Sequence, residues 1–582
     1  MRNRVAENPP KLKVALINVV LEGDYQYEQE IPLGLAYIGA FLREKGYEVT
    51  FKQCFALRAG QIDSVTEIKA DVYGFQLNMV NYKWIKSVAE KIKANRPGAV
   101  IVFGGPFLIS LSEDILNNEP LCDFIAMGEG ELTILELLEA IEKKETNFSD
   151  IKGLIWRDSS RQVIRNQPRD LIADLDTLPF PARDFLETAE RDQTDSGILE
   201  SVRVVTSRGC VGKCSFCYVN WYRKFQKGSL WRGRSAKNVV DELEHLSKKY
   251  KARVFNFSDS SFEDPGEKGK ARSRQICEEI IRRGLSISAK IYLRCETMRS
   301  EDDIELLKLY KRAGIDVVII GAEAGSDYEL RLYEKHATLE DNYRAAKILR
   351  DLDLFYVLTG FIMFGPDSTV DTLKSNIEFL YEFGFADNLM LAANVLMLIR
   401  DSKLYHKLKE EGRVIESGRC WELPKYQMKD PMAARMSKHW QNLFVRYPVT
   451  AKVNRMQINI GNLISRMTNP MNKKALDLFK EEYLELKSGY SRLSAKFGRL
   501  QRDHFLETIE LIKKDCSDEE LSGASEDFFI RTYGDHLPLY EDLYNGFVSK
   551  IAGSGISLSG LIFKHFLSAM TIKETERVKT GT

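Results

Sequence analysis

The chain has no net charge: 84 lysines and arginines stand against 84 aspartates and glutamates in 582 residues. Binding a phosphate backbone normally shows as a basic excess or a basic domain, and no Lys/Arg block is present, so a nucleic-acid substrate is not favoured. Long hydrophobic runs are missing as well. No stretch reaches 18 uninterrupted apolar residues: the longest, Leu389 to Ile399, contains Asn394 and reads as a buried strand, and the tail near Leu561 is broken by Lys564 and His565. That argues against a membrane span. The opening residues, Met1 to Pro10, lack the apolar core of a signal peptide. Cysteine is scarce, nine in all, which excludes a disulfide framework and suits a reducing, cytoplasmic setting. Histidine is scarcer, seven in all, with none before His245. What remains is an ordinary globular composition, 44% apolar and 29% charged, in a chain too long for one core.

Three of the nine cysteines stand together, in Cys210-Val211-Gly212-Lys213-Cys214-Ser215-Phe216-Cys217, directly after the apolar run from Val202 to Val205. Thiolates are soft ligands and select iron-sulfur clusters, zinc or copper(I). A cluster usually takes four protein ligands, and this loop supplies three. An iron left open can bind and activate a small molecule, as an open position makes a metal site catalytic. The other reading is a zinc knuckle, which needs a fourth ligand and normally a second ligand pair. The remaining cysteines, Cys54, Cys122, Cys277, Cys295, Cys420 and Cys516, are scattered singly.

Along the chain, residues 13 to about 142 alternate β-type runs with helical patterns, the form of a doubly wound parallel sheet. Strands are expected at Val14–Val20, Glu48–Lys52, Val72–Leu77, Ala99–Phe103 and Phe124–Met127, and a helix from Pro32 to Lys45 with Gly46 as its stop. Small-residue loops, Gly104-Gly105-Pro106 and Gly128-Glu129-Gly130-Glu131, follow the fourth and fifth strands, where such sheets bind ligands. No G-x-G-x-x-G follows the first strand, so a dinucleotide fingerprint is absent. A hairpin (Gly153–Arg157, Gln162–Arg165) and a proline-stiffened linker (Leu178 to Phe185) come next. From Ser201 to about Gly412 strands at Val202–Thr206, Val254–Phe257, Ile287–Leu293, Val317–Ile320, Tyr356–Met363 and Asn388–Leu398 suggest a partial barrel of about six βα units, with active residues at the strands' carboxyl ends. Past residue 420 the alternation gives way to amphipathic helices, Ala475–Gly489 and Arg502–Lys514 among them. Trp421, Tyr426, Trp440, Phe444, Tyr447 and Met456 read as a packed core stripe, and Lys573 to Thr582 as a mobile tail.

The cysteine spacing, with an aromatic before the third cysteine, resembles the signature of the radical S-adenosylmethionine (SAM) enzymes. The first sheet, with Asp71 to Phe75, Gly104-Gly105 and Asp123 to Glu131 in order, resembles the cobalamin-binding domain that precedes that core in many methylases. The resemblance implies an α/β chain of four parts: a Rossmann-like cobalamin-binding domain (1–148), a hairpin and linker (149–197), a partial (β/α)6 TIM-type radical SAM barrel (198–420) and a helical C-terminal domain (421–582). It implies that Cys210, Cys214 and Cys217 hold a [4Fe-4S] cluster whose free iron chelates SAM. Phe216, Ser258, Asp259, Arg294 and Glu323 would contact SAM: the Ser258-Asp259 pair its amino group, Arg294 a carboxylate, Glu323 the ribose hydroxyls. Asn78, Gly104, Gly105, Gly128, Glu129 and Gly130 would contact cobalamin. The D-x-H-x-x-G segment that gives cobalt an axial histidine elsewhere does not occur, so the lower axial position should carry no histidine from this domain.

Two turns depart from the family pattern: Gly365-Pro366-Asp367-Ser368-Thr369 follows the fifth barrel strand, and Arg400-Asp401-Ser402-Lys403-Leu404 follows the last. Arg400 reads as a solvated loop arginine and Cys295 as a small strand-end residue. The activity implied is a cobalamin-dependent radical SAM methyltransferase acting on an unactivated carbon of a small-molecule or peptide substrate. A 5'-deoxyadenosyl radical would abstract hydrogen, and an external donor of the flavodoxin or ferredoxin type would supply electrons. The alternative is a non-methylating enzyme with the same cofactors, a cyclase, an epimerase or a rearrangement catalyst. No catalytic base beyond the cluster ligands can be named, and specificity is expected in the barrel mouth and the C-terminal helices.

Overall fold

The computed structural model describes residues 11–20, 32–58, 60–78, 81–106, 108, 112–183, 186, 201–219, 226–416 and 422–552. Cys420, Trp421 and the tail from Lys573 lie outside the described residues.

The first sheet holds β1 (Lys13–Val20), β2 (Glu48–Phe55), β3 (Val72–Gln76), β4 (Val100–Gly104) and β5 (Phe124–Ala126), parallel in the order 2-1-3-4-5. In β1, Ala15, Ile17 and Val19 enter one core while Val14 and Leu16 enter another on the opposite face. Burial on both faces is why this strand reads as one continuous apolar run. The helix Leu33–Glu44 lies close on the sheet, because a Cβ on Gly39 would overlap the Phe51 ring. The connector hairpin, β6 (Leu154–Arg157) and β7 (Val163–Arg165), continues this sheet antiparallel beyond β5, giving seven strands.

The second sheet opens with β8 (Val202–Val204), followed by a small antiparallel ribbon of β9 (Ser207–Arg208) and β10 (Arg232–Gly233). Then come β11 (Val254–Phe257), β12 (Ser288–Arg294), β13 (Ile315–Glu323) and β14 (Tyr356–Phe361), so the parallel order is 14-13-12-11-8. The sixth strand expected over Asn388–Leu398 is mostly something else. Asn388 caps a short helix, Leu389–Ala392, through its side chain. Only Asn394 to Leu396 bonds to Met363 and Phe364, as an abbreviated sixth unit. Leu389, Ala392, Leu396 and Leu398 are buried while Met390 and Met397 are exposed, and the two asparagines divert the backbone.

Helices Pro431–Arg446, Val449–Met467, Lys473–Leu478, Lys480–Lys513, Asp518–Phe528 and Gly534–Ala552 share one core with the barrel. The helix expected over Ala475–Gly489 begins in Lys473–Leu478, and from Lys480 on it runs together with the one expected over Arg502–Lys514 as a single 34-residue helix, Lys480–Lys513. Gly489 stays helical because Leu543 packs on it: a Cβ there would lie 2.8 Å from Leu543 Cδ1. Trp440 is fully buried, 4.8 Å from the Phe505 ring, and Met456 is buried too, as a packed stripe requires. Helix Val449–Met467 does not reach the barrel mouth. Ser465 and Asn469 donate to Asp316, Ile287 and Gly314 carbonyls, and a Cβ on Gly461 would overlap the Tyr356 ring. It therefore closes the amino ends of β12 to β14, opposite the cysteine loop. Among the described residues no helix is long and apolar enough to cross a membrane.

Within these helices His439 Nε2 and His504 Nε2 lie 2.8 and 3.0 Å from one hydroxyl, Ser525 Oγ, and Phe528 stacks on His504 at 4.1 Å. Burial pushes both imidazoles down to about 4, with His504 adding to the effect on His439. Between about pH 6.5 and 4 the unfolded chain therefore binds more protons than the folded one, and stability falls as pH falls. The loss should be on the order of 3 kcal/mol per histidine by pH 4. Thermal midpoints taken from pH 7.5 to 4 should show this slope, and His504→Gln should flatten it; equal slopes in both proteins would refute the assignment.

Candidate functional site

The cysteine loop hangs between two fixed points. On its amino side Gly209 has φ +89°, and a Cβ there would overlap the Leu230 carbonyl oxygen, so only glycine passes between the ribbon and Cys210. On its carboxyl side Ser215 N donates to Tyr333 O at 2.8 Å, Ser215 Oγ to Leu332 O at 3.1 Å, and Leu404 N to Ser215 O at 3.0 Å. Phe216 meets Tyr333 edge-to-face at 5.6 Å. Between these points Val211 N donates to Asp264 Oδ2 at 3.1 Å and Gly212 N to Cys210 Sγ at 3.3 Å. A Cβ on Gly212 would lie 3.2 Å from Cys210 Sγ and 3.9 Å from Cys214 Sγ, so this glycine stands beside both thiols.

Cys210, Cys214 and Cys217 are all half-buried, and burial pushes the Cys210 and Cys214 thiols up to about 11. Among the described residues, no three His, Cys, Asp or Glu side chains close on a single-ion point. A four-iron cluster gives each thiolate its own iron, so its ligands need not converge as those of one ion do. Three half-buried thiols on one anchored loop fit such a group. Cys295, by contrast, is fully buried in the barrel core, its thiol pushed up to about 12 by burial.

The other strand-end residues divide into those that face open space and those already engaged. Asp259 is buried, and its carboxylate accepts from Thr206 N at 2.7 Å, Ser207 N at 3.0 Å and the Thr206 hydroxyl. It braces the segment that leads into the ribbon, while Ser258 and Ser260 line open space. Arg294 donates to Glu296 Oε1 from Nε at 2.8 Å and approaches Asp264 Oδ1 at 3.4 Å. Asp264 thus joins Arg294 to the loop at Val211, a link that no local spacing announces. Glu323 ends β13 at φ +64°, in a conformation that costs a non-glycine residue energy, and pairs with Lys335 at 3.4 Å. A Cβ on Gly321 would lie 2.8 Å from Glu323 Oε1 and 3.0 Å from Lys335 Nζ, so glycine makes room for the pair. Burial works against the Lys335 ammonium, yet Glu323, with Cys214 next, holds its pKa above the usual lysine value. Arg400 is no solvated arginine: it bonds to Glu416 Oε2 at 2.6 Å and is 18% exposed.

On the first sheet, Asn78 and Asn81 cap each other, each backbone N donating to the other's Oδ1 at 2.8 and 2.9 Å. Asn78 lies outside the lining of the cavity described next. Gly105 has φ +134°, and a Cβ there would lie 2.6 Å from Leu77 O; one on Gly128, at φ +77°, would overlap the Gln226 amide. Glu129 stands in the wall of that cavity with its carboxylate already engaged. Its carboxylate takes Arg208 Nη1 at 3.0 Å, Arg232 Nη1 at 2.8 Å and Ile172 N at 2.8 Å. Glu131 takes Arg208 Nη2 at 2.7 Å.

A single cavity of about 440 Å³ has walls from both sheets: Gly104, Gly105, Gly128 and Gly130 on one side, Cys210 and Ser258 on the other. Gln76, Tyr37 and Tyr218 also line it and were not legible as site residues. Their only signal is position, at a strand end, on the first helix and one residue past the third cysteine.

Residues 204–380 match the model of the radical SAM superfamily, and residues 26–138 that of the B12 binding domain. An uncharacterized methyltransferase of Pyrococcus horikoshii is 29% identical over 393 residues, 62% of this chain and 80% of that protein. An anaerobic magnesium-protoporphyrin IX monomethyl ester cyclase of Synechocystis is 28% identical over 367 residues, 61% of this chain and 69% of the relative. Among solved structures, the cobalamin-dependent S-adenosylmethionine radical enzyme OxsB, with aqua-cobalamin and S-adenosylmethionine bound, matches in fold with a TM-score of 0.65 at 17% identity. The match covers 94% of this chain and 81% of OxsB.

Proposed function

Because the chain belongs to the radical SAM superfamily and carries a B12 binding domain, its cofactors being a [4Fe-4S] cluster, SAM and cobalamin, we propose that it methylates an unactivated carbon of a small-molecule or peptide substrate. The observation that carries this reading is the shared cavity, in which the glycine loops of the first sheet face Cys210 and Ser258 of the second. Cys210, Cys214 and Cys217 would hold the cluster; Ser258, Arg294, Glu323 and Phe216 would hold SAM; Gly104, Gly105, Gly128 and Gly130 would lie against cobalamin. When bound, the cluster with SAM supplies a 5'-deoxyadenosyl radical and cobalamin a transferable methyl group.

The chain's own part is positioning and exclusion of water. Lys335, 3.4 Å from Glu323, would hold that side chain in place as an acceptor for hydroxyls. Asp264 ties Arg294 to the cysteine loop, so the group that meets a SAM carboxylate moves with the cluster ligands. The absence of a Cβ at Gly105 and Gly128 leaves room for Leu77 O and the Gln226 amide, which pack against these two turns of the cavity wall. An electron donor of the flavodoxin or ferredoxin type completes the reaction as a partner.

A second reading, a cyclase or other non-methylating enzyme, is favoured by the similarity to the magnesium-protoporphyrin ester cyclase. Reduced holoenzyme incubated with methyl-labelled SAM and a metabolite extract separates the two. A product carrying the labelled methyl group, together with 5'-deoxyadenosine, is expected; 5'-deoxyadenosine with no label in any product would reject methyl transfer in favour of the second reading.

A further inference from the structure

We propose that Glu129, Arg208 and Arg232 form a clamp that couples cobalamin binding on the first sheet to cluster binding at Cys210, an inference that rests on the cofactor assignment above. Arg208 and Arg232 are directly opposed in the β9–β10 ribbon. Like charges in that register repel, and these two are largely buried, at 18% and 7% side-chain exposure. The ribbon is therefore not self-sufficient. What neutralises it comes from the other sheet: Glu129 lies between the two guanidiniums, at 3.0 Å from Arg208 and 2.8 Å from Arg232, and Glu131 holds the second arm of Arg208 at 2.7 Å. Arg232 also donates to Ile172 O at 2.8 Å, whose own amide donates to Glu129, so the ring of bonds closes.

The two ends of this clamp are the two cofactor loops. Glu129 sits between Gly128 and Gly130, both in the cavity wall, and is the residue from which the helix Gly130–Glu142 starts. Arg208 is separated from Cys210 only by Gly209, which packs so closely on Leu230 O that a Cβ would overlap it, so a shift of Cys210 presses on the ribbon. Fixing Cys210 on a cluster therefore fixes Arg208, and Arg208 with Arg232 fixes the loop from Gly128 to Glu131. Ordering either loop lowers the cost of ordering the other, and such coupling is reciprocal.

The test uses hydroxocobalamin as probe, titrated by absorbance into the full chain in two states, chelator-treated and cluster-reconstituted. The expected result is a dissociation constant at least about fivefold lower with the cluster present. In Glu129→Gln and in Arg208→Lys, the second keeping a cation at the ribbon, the ratio of the dissociation constants in the two states should fall to about one, whatever the affinity of the chelated variant itself. Equal affinities in the two wild-type states would overturn the coupling, as would a gain that survives in both variants. Failure of wild type to bind hydroxocobalamin in either state would instead overturn the cofactor assignment.

Discussion

Cys214→Ala reconstituted with iron and sulfide under anaerobic conditions is expected to lose most of its iron and all reductive cleavage of SAM, while its thermal midpoint stays within a few degrees of wild type. Wild type should carry about four irons and a broad absorbance near roughly 400 nm. Cys214 is half-buried on a loop whose backbone is held by Ser215 and Asp264, so deleting the sulfur removes a ligand and leaves those two braces in place. Two ligands cannot hold what three already hold with one iron open. Cys295→Ala is the matched control: its thiol is fully buried in the barrel core, and truncation there should lower stability by about 1 kcal/mol and leave the iron content unchanged. Full iron content in Cys214→Ala, or its loss in Cys295→Ala, would refute the ligand assignment.

The parts of this molecule that follow local rules were legible, and those that depend on distant partners were not. β1 reads as a buried parallel strand because its residues alternate into two cores, and Pro32 and Gly46 bracket the first helix as their backbone preferences require. The three cysteines stand on one half-buried loop after the first barrel strand, as their close spacing requires. Leu389 to Ile399 misled because hydrophobicity reports burial, whereas the backbone path is set by Asn388 and Asn394, whose side chains bond to Met390 N and Phe361 O. The partners of the carboxylates were hidden for the same reason. Asp259 and Glu129 stand at the right strand ends with the right charge, but their partners, Thr206 and the pair Arg208 and Arg232, approach from residues 53 to 103 positions away. No local pattern carries that information, so a carboxylate that braces a loop and one that meets a ligand look alike in sequence.

Gly209→Ala is expected to cost stability and cluster binding together. The residue sits at φ +89°, outside the region that side chains readily adopt. Its added Cβ would also overlap the Leu230 carbonyl oxygen, lie 2.7 Å from the carbonyl carbon and 3.4 Å from Trp231 Cα. These are backbone atoms of the segment entering β10, and they cannot rotate away as a side-chain end can. The ribbon must open or Cys210 must move, and each breaks the register of Arg208 with Arg232 that seats both on Glu129. Gly266 separates the two causes. It has φ +59° with nothing within 4 Å of the place a Cβ would take, so Gly266→Ala bears only the conformational strain, about 1 kcal/mol. Gly209→Ala should lose on the order of 3 kcal/mol or more, and at temperatures where it is still folded it should take up less than half the wild-type iron. Chemical denaturation gives the first quantity and iron analysis the second. If the two alanine variants unfold alike and both load fully with iron, the close approach at Gly209 does not set the position of Cys210; if only Gly209→Ala fails in both measurements, the ribbon is what aims the first cysteine at the cavity.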